Sequence, residues 1–273
     1  MTALETLDGA HVLVTGASSG IGAALATLLA SRGATVGIVA RRADRLAGVL
    51  EACEAAGPGA RHRSWTADLA DVDVATRMAL DAWSALDGLD AVVNNAARPM
   101  RRPVHQLDVT TVDDVMRTNF LSPVAIALAV LPHMLERDHG MIVNVSSLGG
   151  RIGIANEAAY VASKFALSGW TEAMALDLWS TRVGVRLITP GPVDTEIWDQ
   201  PGNEPAAYDG PLESPTTVAE AIAAALVTDG FETYVPDLKG VAEFKTSDID
   251  TYLAGSAEFA AAARDTPSTT EET

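Results

Sequence analysis

Tyr160 and Lys164 stand four positions apart in the run Tyr160-Val161-Ala162-Ser163-Lys164, and Ser147 lies thirteen residues upstream of the tyrosine. On a helix, residues four apart share one face, with roughly 5–6 Å between their β-carbons. An ammonium so placed acts on a phenol. A tyrosine ordinarily titrates at about pH 10, too high for a general base at neutral pH. Lowering it by ~3 units takes ~4 kcal/mol of differential stabilisation of the phenolate. One nearby cation in a partly dry site supplies energy of that order. Taken alone, the pair reads more readily as a helix with a core tyrosine and a solvated lysine. The rest of the chain decides between the two.

The elements that must position this pair follow from the periodicity. Short β-branched apolar runs at 10–15, 35–40, 63–66, 89–94, 141–146, 185–189 and 232–235 predict strands. Helical patterns at 20–32, 43–56, 71–86, 112–137, 157–181 and 217–227 fall between them. Alternation of this kind implies βαβ units with right-handed crossovers and a parallel sheet covered on both faces. Six prolines between Pro190 and Pro215, with Gly191, Gly202 and Gly210, predict a long loop outside regular structure. Long loops in compact domains serve as lids or binding loops. One domain over 1–264 is expected, with a substrate loop at about 196–215 and a polar, disordered tail at 265–273.

Between the first strand and the first helix stands Thr15-Gly16-Ala17-Ser18-Ser19-Gly20-Ile21-Gly22. Glycines here let the backbone turn tightly and approach a pyrophosphate, whose charge meets the helix N-terminus. Glycine clusters also serve ordinary turns, so the position at the first strand-to-helix turn carries the inference. Arg41 and Arg42 end the second strand, where NAD-binding folds often place an acid for the ribose hydroxyls. Guanidinium groups there suit a 2′-phosphate, so NADP(H) is expected over NAD(H); two solvated surface arginines are the plainer alternative.

These motifs, together with Asp68, Asn94-Asn95-Ala96, Asn119 and Pro190-Gly191-Pro192-Val193-Asp194-Thr195, resemble the short-chain dehydrogenase/reductase family from about residue 10 to residue 195. The resemblance implies a single-domain Rossmann fold: a doubly wound, mostly parallel sheet of about seven strands with helices on both faces. It implies Tyr160 as general acid/base, Lys164 as the group that lowers its pKa and binds the nicotinamide ribose, and Ser147 as the donor that orients the substrate oxygen. Asn119 would help hold a water linking Lys164 to solvent. Gly16, Ser18, Ser19, Gly20, Ile21 and Gly22 would cradle the pyrophosphate, and Asn95 and Ala96 would border the cofactor with Pro190 and Gly191. Asp68 would sit near the adenine with Leu69 beside it. Val193 and Thr195 would hold the nicotinamide carboxamide. Ala97 stands where the family usually has glycine, a harmless departure if its backbone accepts a β-carbon. Ser146 rivals Ser147, and the thirteen-residue spacing favours Ser147.

The substrate is expected to be a small carbonyl compound or alcohol, with a lean toward hydrophobic molecules because the C-terminal part lacks the ending common in β-ketoacyl carrier reductases. Trp198, Tyr208, Ile152 and Ile154 are candidates for an apolar pocket. Arg98, Arg101 and Arg102 could receive an anionic group, or be solvated, or pair with the acidic C-terminal part. A non-catalytic dinucleotide sensor on the same fold is the rival from another class, since fold does not settle function; the retention of Ser147, Tyr160, Lys164 and Asn119 argues for catalysis. Relatives associate through the long helix and the tyrosine-bearing helix, so a homodimer or homotetramer is expected.

Composition excludes other classes. The net charge of −17 is concentrated in residues 201–273, which hold 3 basic and 14 acidic residues, and argues against nucleic acid as the main partner. The acidic stretch reads as a solubilising surface. A single cysteine, Cys53, fits a reducing compartment and no disulfide framework. Five scattered histidines show no ligand spacing, so no metal is expected. No uninterrupted apolar stretch reaches a membrane-spanning length and the first residues do not read as a signal peptide, which together predict a cytoplasmic protein.

Overall fold

The computed structural model describes residues 2–265. Its strands are β1 (His11–Thr15), β2 (Thr35–Ala40), β3 (Arg63–Thr66), β4 (Ala91–Asn94), β5 (Gly140–Val145), β6 (Val183–Pro190) and β7 (Glu232–Val235). They form one sheet in the order β3-β2-β1-β4-β5-β6-β7, with every neighbouring pair parallel. The chain therefore winds outward from β1 to one edge, returns to β4 and winds to the other. The reversal leaves a crevice at the carboxyl ends of β1 and β4, where ligands bind in open α/β sheets.

The period-two alternation of strand side chains builds two cores. Val12, Val14, Val36, Ile38 and Val143 face one layer, against Leu25 and Leu29 of α1 (Gly20–Ser31) and Val218 and Ile222 of α7 (Pro215–Val227). Leu13, Val39, Val92, Ile142 and Val185 face the other. There they meet Met78 of α3 (Val72–Ala85), Ile126 and Val130 of α5 (Ser122–Glu136) and Met174 of α6 (Ala158–Asp177). α2 (Ala43–Ala56) lies beside α1. Burial on both faces explains why the inner strands read as continuous apolar runs.

Local signals fix the helix starts. Asp71 caps α3 by accepting from the N–H groups of Asp73 and Val74. Ser214 accepts from Thr217 at 3.0 Å and is followed by Pro215 in the first turn of α7. The single long helix expected over 112–137 is two helices, α4 (Val109–Met116) and α5, joined by a wider π turn at Arg117–Leu121. Pro123 has no N–H to offer the carbonyl of Asn119 four residues back, which interrupts the α-helical ladder there. By length and composition the run 109–136 could cross a membrane. Here Ile126, Ala127, Val130 and Met134 pack into the sheet core.

The stretch 191–214 is a loop, as its prolines predict, with one parallel bridge between Val193 and Glu213. After β7 come two helices that the sequence pattern did not announce, α8 (Lys239–Ser247) and α9 (Ile249–Asp265). They fold back over the carboxyl end of the sheet, where the Tyr252 hydroxyl donates to the Gly153 carbonyl at 2.7 Å. The expected tail at 265–273 lies outside the described residues except for Asp265, which ends α9.

Candidate active site

The turn after β1 is shaped by backbone conformations and contacts that glycine alone tolerates. Gly16 and Gly20 have φ of +66° and +54°. A β-carbon on Gly22 would lie 2.4 Å from the Gly16 carbonyl oxygen, and one on Gly20 would lie 2.9 Å from Thr195 Cγ2. The turn is stitched to β4. The Thr15 hydroxyl accepts from the N–H groups of Asn95 (2.9 Å) and Ala96 (3.0 Å), while Asn95 Nδ2 donates to the Thr15 carbonyl at 2.9 Å. Asn95 thus holds the turn in shape through its side chain. Ser19 caps α1 without a side-chain hydrogen bond to the helix, leaving the first N–H groups to meet an anion.

A cavity of about 850 Å³ opens on this turn and runs across the carboxyl ends of the strands. Its walls include Gly16, Ser18, Ser19, Gly20, Ile21, Arg41, Arg42, Asp68, Leu69, Asn95 and Ala96 on one side. Ser147, Tyr160, Lys164, Pro190, Gly191, Val193 and Thr195 border the other. Among the residues expected for catalysis or cofactor binding, Gly22, buried beneath the turn, and Asn119, buried on the π turn, stand off its surface. Ala97, also on the wall, is outside the left-handed region, so its β-carbon is accommodated. The volume, the glycine cradle and the free helix N-terminus fit a dinucleotide.

Arg42 lies across the turn. Its Nε and Nη2 donate to Ser18 Oγ at 3.3 and 3.1 Å, its Nη2 donates to Ser19 Oγ at 2.8 Å, and its Nη1 meets Glu196 Oε2 at 2.7 Å. Arg45, one turn further along, also pairs with Glu196. Neither Arg45 nor Glu196 was singled out by the sequence, although the position of Arg45 one turn after Arg41 was a legible signal.

At the other end of the cavity, just after β5, Ser147 Oγ accepts from the Gly149 N–H at 3.1 Å. Ser146 is buried, with its Oγ within 2.9 Å of Ser168 Oγ. Both serines border the cavity, but the Ser146 hydroxyl is engaged by Ser168 and by the Lys164 carbonyl at 3.3 Å. Lys164 is 1% exposed; its Nζ donates to the Val145 carbonyl at 2.8 Å and lies 5.8 Å from the centre of the Tyr160 ring. Burial pulls the Lys164 ammonium down to about 7. Burial also pushes the Tyr160 phenol well above its usual range; hydrogen bonding with Ser147 opposes this, the Glu157 carboxyl adds to it and Arg101 offsets a part. In the chain alone, desolvation works against the charged form of both groups.

Asn119 accepts from the Arg98 N–H at 2.7 Å and donates to the Arg98 carbonyl at 2.9 Å and to Ser163 Oγ at 3.0 Å. It clasps the segment after β4 to α6.

The three arginines after β4 resolve differently from each other. Arg98 pairs with Asp114 at 3.3 Å, and Arg102 donates to the Gly202 carbonyl at 3.0 Å. Arg101 is 4% exposed; it donates to the carbonyls of Glu204 (3.1 Å), Ile197 (3.4 Å) and Trp198, and stacks over the Trp198 ring at 5.2 Å. It is a loop clasp, neither solvated nor paired with the acidic C-terminal part. Trp198, Tyr208, Ile152 and Ile154 all border the cavity, as expected. Phe244 of α8 and Tyr252 and Phe259 of α9 add to the wall. Glu157 also faces it, and burial raises its carboxyl to about 7.

Comparison with known proteins agrees with this geometry. A family model described as short chain dehydrogenase matches residues 10–205. The chain is 31% identical over 223 residues to ketoacyl reductase HetN from a Nostoc species, covering 82% of this chain and 77% of that protein. It spans 60–62% of the length of several other curated relatives. A metagenomic short-chain oxidoreductase solved in complex with NADP superposes with a TM-score of 0.70 at 30% identity, covering 84% of this chain and 96% of that one. A short-chain dehydrogenase/reductase from Burkholderia phymatum in complex with NAD superposes with a TM-score of 0.79 at 25% identity, covering 91% and 96%. The chain belongs to the short-chain dehydrogenase/reductase family, oxidoreductases that act on alcohol and ketone groups with a nicotinamide dinucleotide.

Proposed function

We propose that the protein is an NADP(H)-dependent oxidoreductase that moves a hydride between nicotinamide and a carbonyl or secondary alcohol on a hydrophobic small molecule, with Tyr160 as general acid/base. The observation that carries this reading is one cavity joining the phosphate turn to Ser147, Tyr160 and Lys164. The nicotinamide supplies or receives the hydride when bound. The chain's own groups handle the proton and the developing charge.

In carbonyl reduction the Tyr160 hydroxyl gives its proton to the substrate oxygen as negative charge builds there; in alcohol oxidation the phenolate takes it back. The Ser147 hydroxyl donates to the same oxygen and stabilises that charge. Burial disfavours an isolated phenolate and an isolated ammonium alike, whereas the two formed together offset each other. Lys164, poised at about 7, is therefore the group that supports a phenolate at Tyr160. Asn119 keeps the segment at Arg98 and the first turns of α6 in register for this exchange. Preference for NADP(H) is supported by Arg41 and Arg42 at the end of β2, with Arg42 lying on the Ser18 and Ser19 hydroxyls. A hydrophobic substrate is supported by Ile152, Trp198, Phe244 and Phe259 around the entrance.

Oxidation of NADPH and NADH against a panel of ketones, aldehydes and steroids, with Tyr160→Phe alongside, tests the proposal. The substitution is expected to lower kcat by roughly 10²–10⁴ while leaving coenzyme affinity unchanged. Unaltered turnover would remove Tyr160 from the mechanism, and a higher kcat/KM with NADH would reverse the coenzyme assignment.

A further inference from the structure

A carboxylate occupies the place where a second anion would have to go. Glu196 follows Thr195, at the root of the loop that roofs the cavity. Its Oε2 accepts from Arg42 Nη1 at 2.7 Å, and its Oε1 accepts from Arg45. The remaining donors of Arg42 hold Ser18 and Ser19 on the phosphate turn. The guanidinium thus lies between the turn and Glu196. The two side chains are 39% and 42% exposed, so their pairing is of the kind that contributes little net stability and exchanges readily. A 2′-phosphate brings about two negative charges and three acceptor oxygens to the same donors.

We propose that Glu196 is a coenzyme-discriminating residue: it fills the anion seat on Arg42 and Arg45 in the free protein, a 2′-phosphate enters by displacing it, and a dinucleotide without that phosphate leaves it in place. The inference rests on the assignment of Arg42 to the 2′-phosphate. The two guanidiniums hold the Glu196 carboxyl below the usual carboxylate range, so the competitor keeps its charge at neutral pH.

Displacement reaches the substrate side as well. Thr195 leans against Gly20 of the phosphate turn, the Glu196 carbonyl accepts from Gln200 Nε2 at 3.0 Å and from the Asp199 N–H at 3.3 Å, and Ile197 and Trp198 come next on the cavity wall. Release of the Glu196 side chain therefore removes one tether at the start of this segment, while the Arg101 contacts to Ile197 and Trp198 remain. NAD(H) would leave that tether in place.

Calorimetric titration with adenosine 2′,5′-bisphosphate and with ADP, which carry the two recognition elements and no redox chemistry, separates the possibilities. Glu196→Gln and Glu196→Ala are expected to tighten the bisphosphate by about three- to tenfold and to change ADP by less than about twofold. In the wild-type protein the bisphosphate, and not ADP, is expected to speed amide hydrogen exchange over residues 196–200. If both Glu196 variants bind the bisphosphate no more tightly than wild type, while Arg42→Ala still removes the preference for it over ADP, Glu196 is not the competitor and the coenzyme assignment stands. If Arg42→Ala leaves the ratio of the two affinities unchanged, the phosphate seat itself is misassigned and the inference falls with it.

Discussion

Glu157 sits one helical turn before Tyr160 on the same cavity wall, and its carboxyl behaves unlike a surface acid. Burial raises it from 4.5 to about 7, with Arg101 the opposing influence. Between those values the folded protein keeps a proton that the unfolded chain releases, so unfolding is favoured as pH rises through that window. Glu157→Gln removes the effect. Urea titrations are expected to find the variant about equal to wild type near pH 4 and more stable by about 1–3 kcal/mol near pH 8. Equal stability curves at both pH values would show that the carboxyl titrates normally. The same desolvation acts on Tyr160 and Lys164, in opposite directions because their charged forms have opposite sign. Residue types and spacing revealed the pair; their titration follows from how the chain closes over them.

At the scale of elements, the segment 197–204 is held to the end of β4 by one buried guanidinium. Besides its side-chain contacts, Arg101 gives its N–H to Asn203 Oδ1 at 2.6 Å and accepts from the Glu204 N–H at 2.8 Å. Arg101→Ala leaves the carbonyls of Ile197, Trp198 and Glu204 without that donor. The variant is expected to lose roughly 1–3 kcal/mol of stability. It should also raise KM for the carbonyl substrate several-fold with coenzyme affinity unchanged, and Arg101→Lys should recover only part because a lysine lacks the forked donors. Steady-state kinetics with thermal melts would check this; an unchanged KM would detach the loop from the substrate site. The strands and most helices were legible because period two and period 3.6 are local patterns. The break between α4 and α5 was signalled by Pro123 but masked by continuous apolar character on both sides. α8 and α9 were missed because their exposed faces carry Lys239, Glu243, Lys245, Asp250 and Glu258 among few buried residues.

Across the whole molecule, the reversal of winding at β1 and β4 brings the phosphate turn, the residues after β4 and those after β5 to one crevice. Arg151 ties the far side together, donating to both oxygens of Glu232 at 3.0 Å and pairing with Glu172 at 2.5 Å. The outer faces of α5 and α6 and the turn after α6 leave large apolar groups in the open: Leu128 at 54%, Leu176 at 73% and Trp179 at 65%. We propose that these faces associate in a homodimer or homotetramer. Leu176→Glu is expected to shift the protein to a smaller species in light scattering coupled to size exclusion, with the monomer fold kept by circular dichroism. A wild-type protein already monomeric at micromolar concentration would end that proposal.

The sequence by itself determined the order of the strands, the glycine turn after β1 and the spacing of Ser147, Tyr160 and Lys164. Each is written in short-range terms: left-handed glycines, helix spacing and strand alternation. Tertiary structure decided what those terms leave open. It put Glu196 on Arg42, 154 positions away, and Arg101 beneath a loop about a hundred residues on. It turned the Asn119 side chain to Arg98 and Ser163, and set the direction in which Tyr160 titrates. Long-range pairing and desolvation depend on which surfaces meet, and no local spacing encodes that.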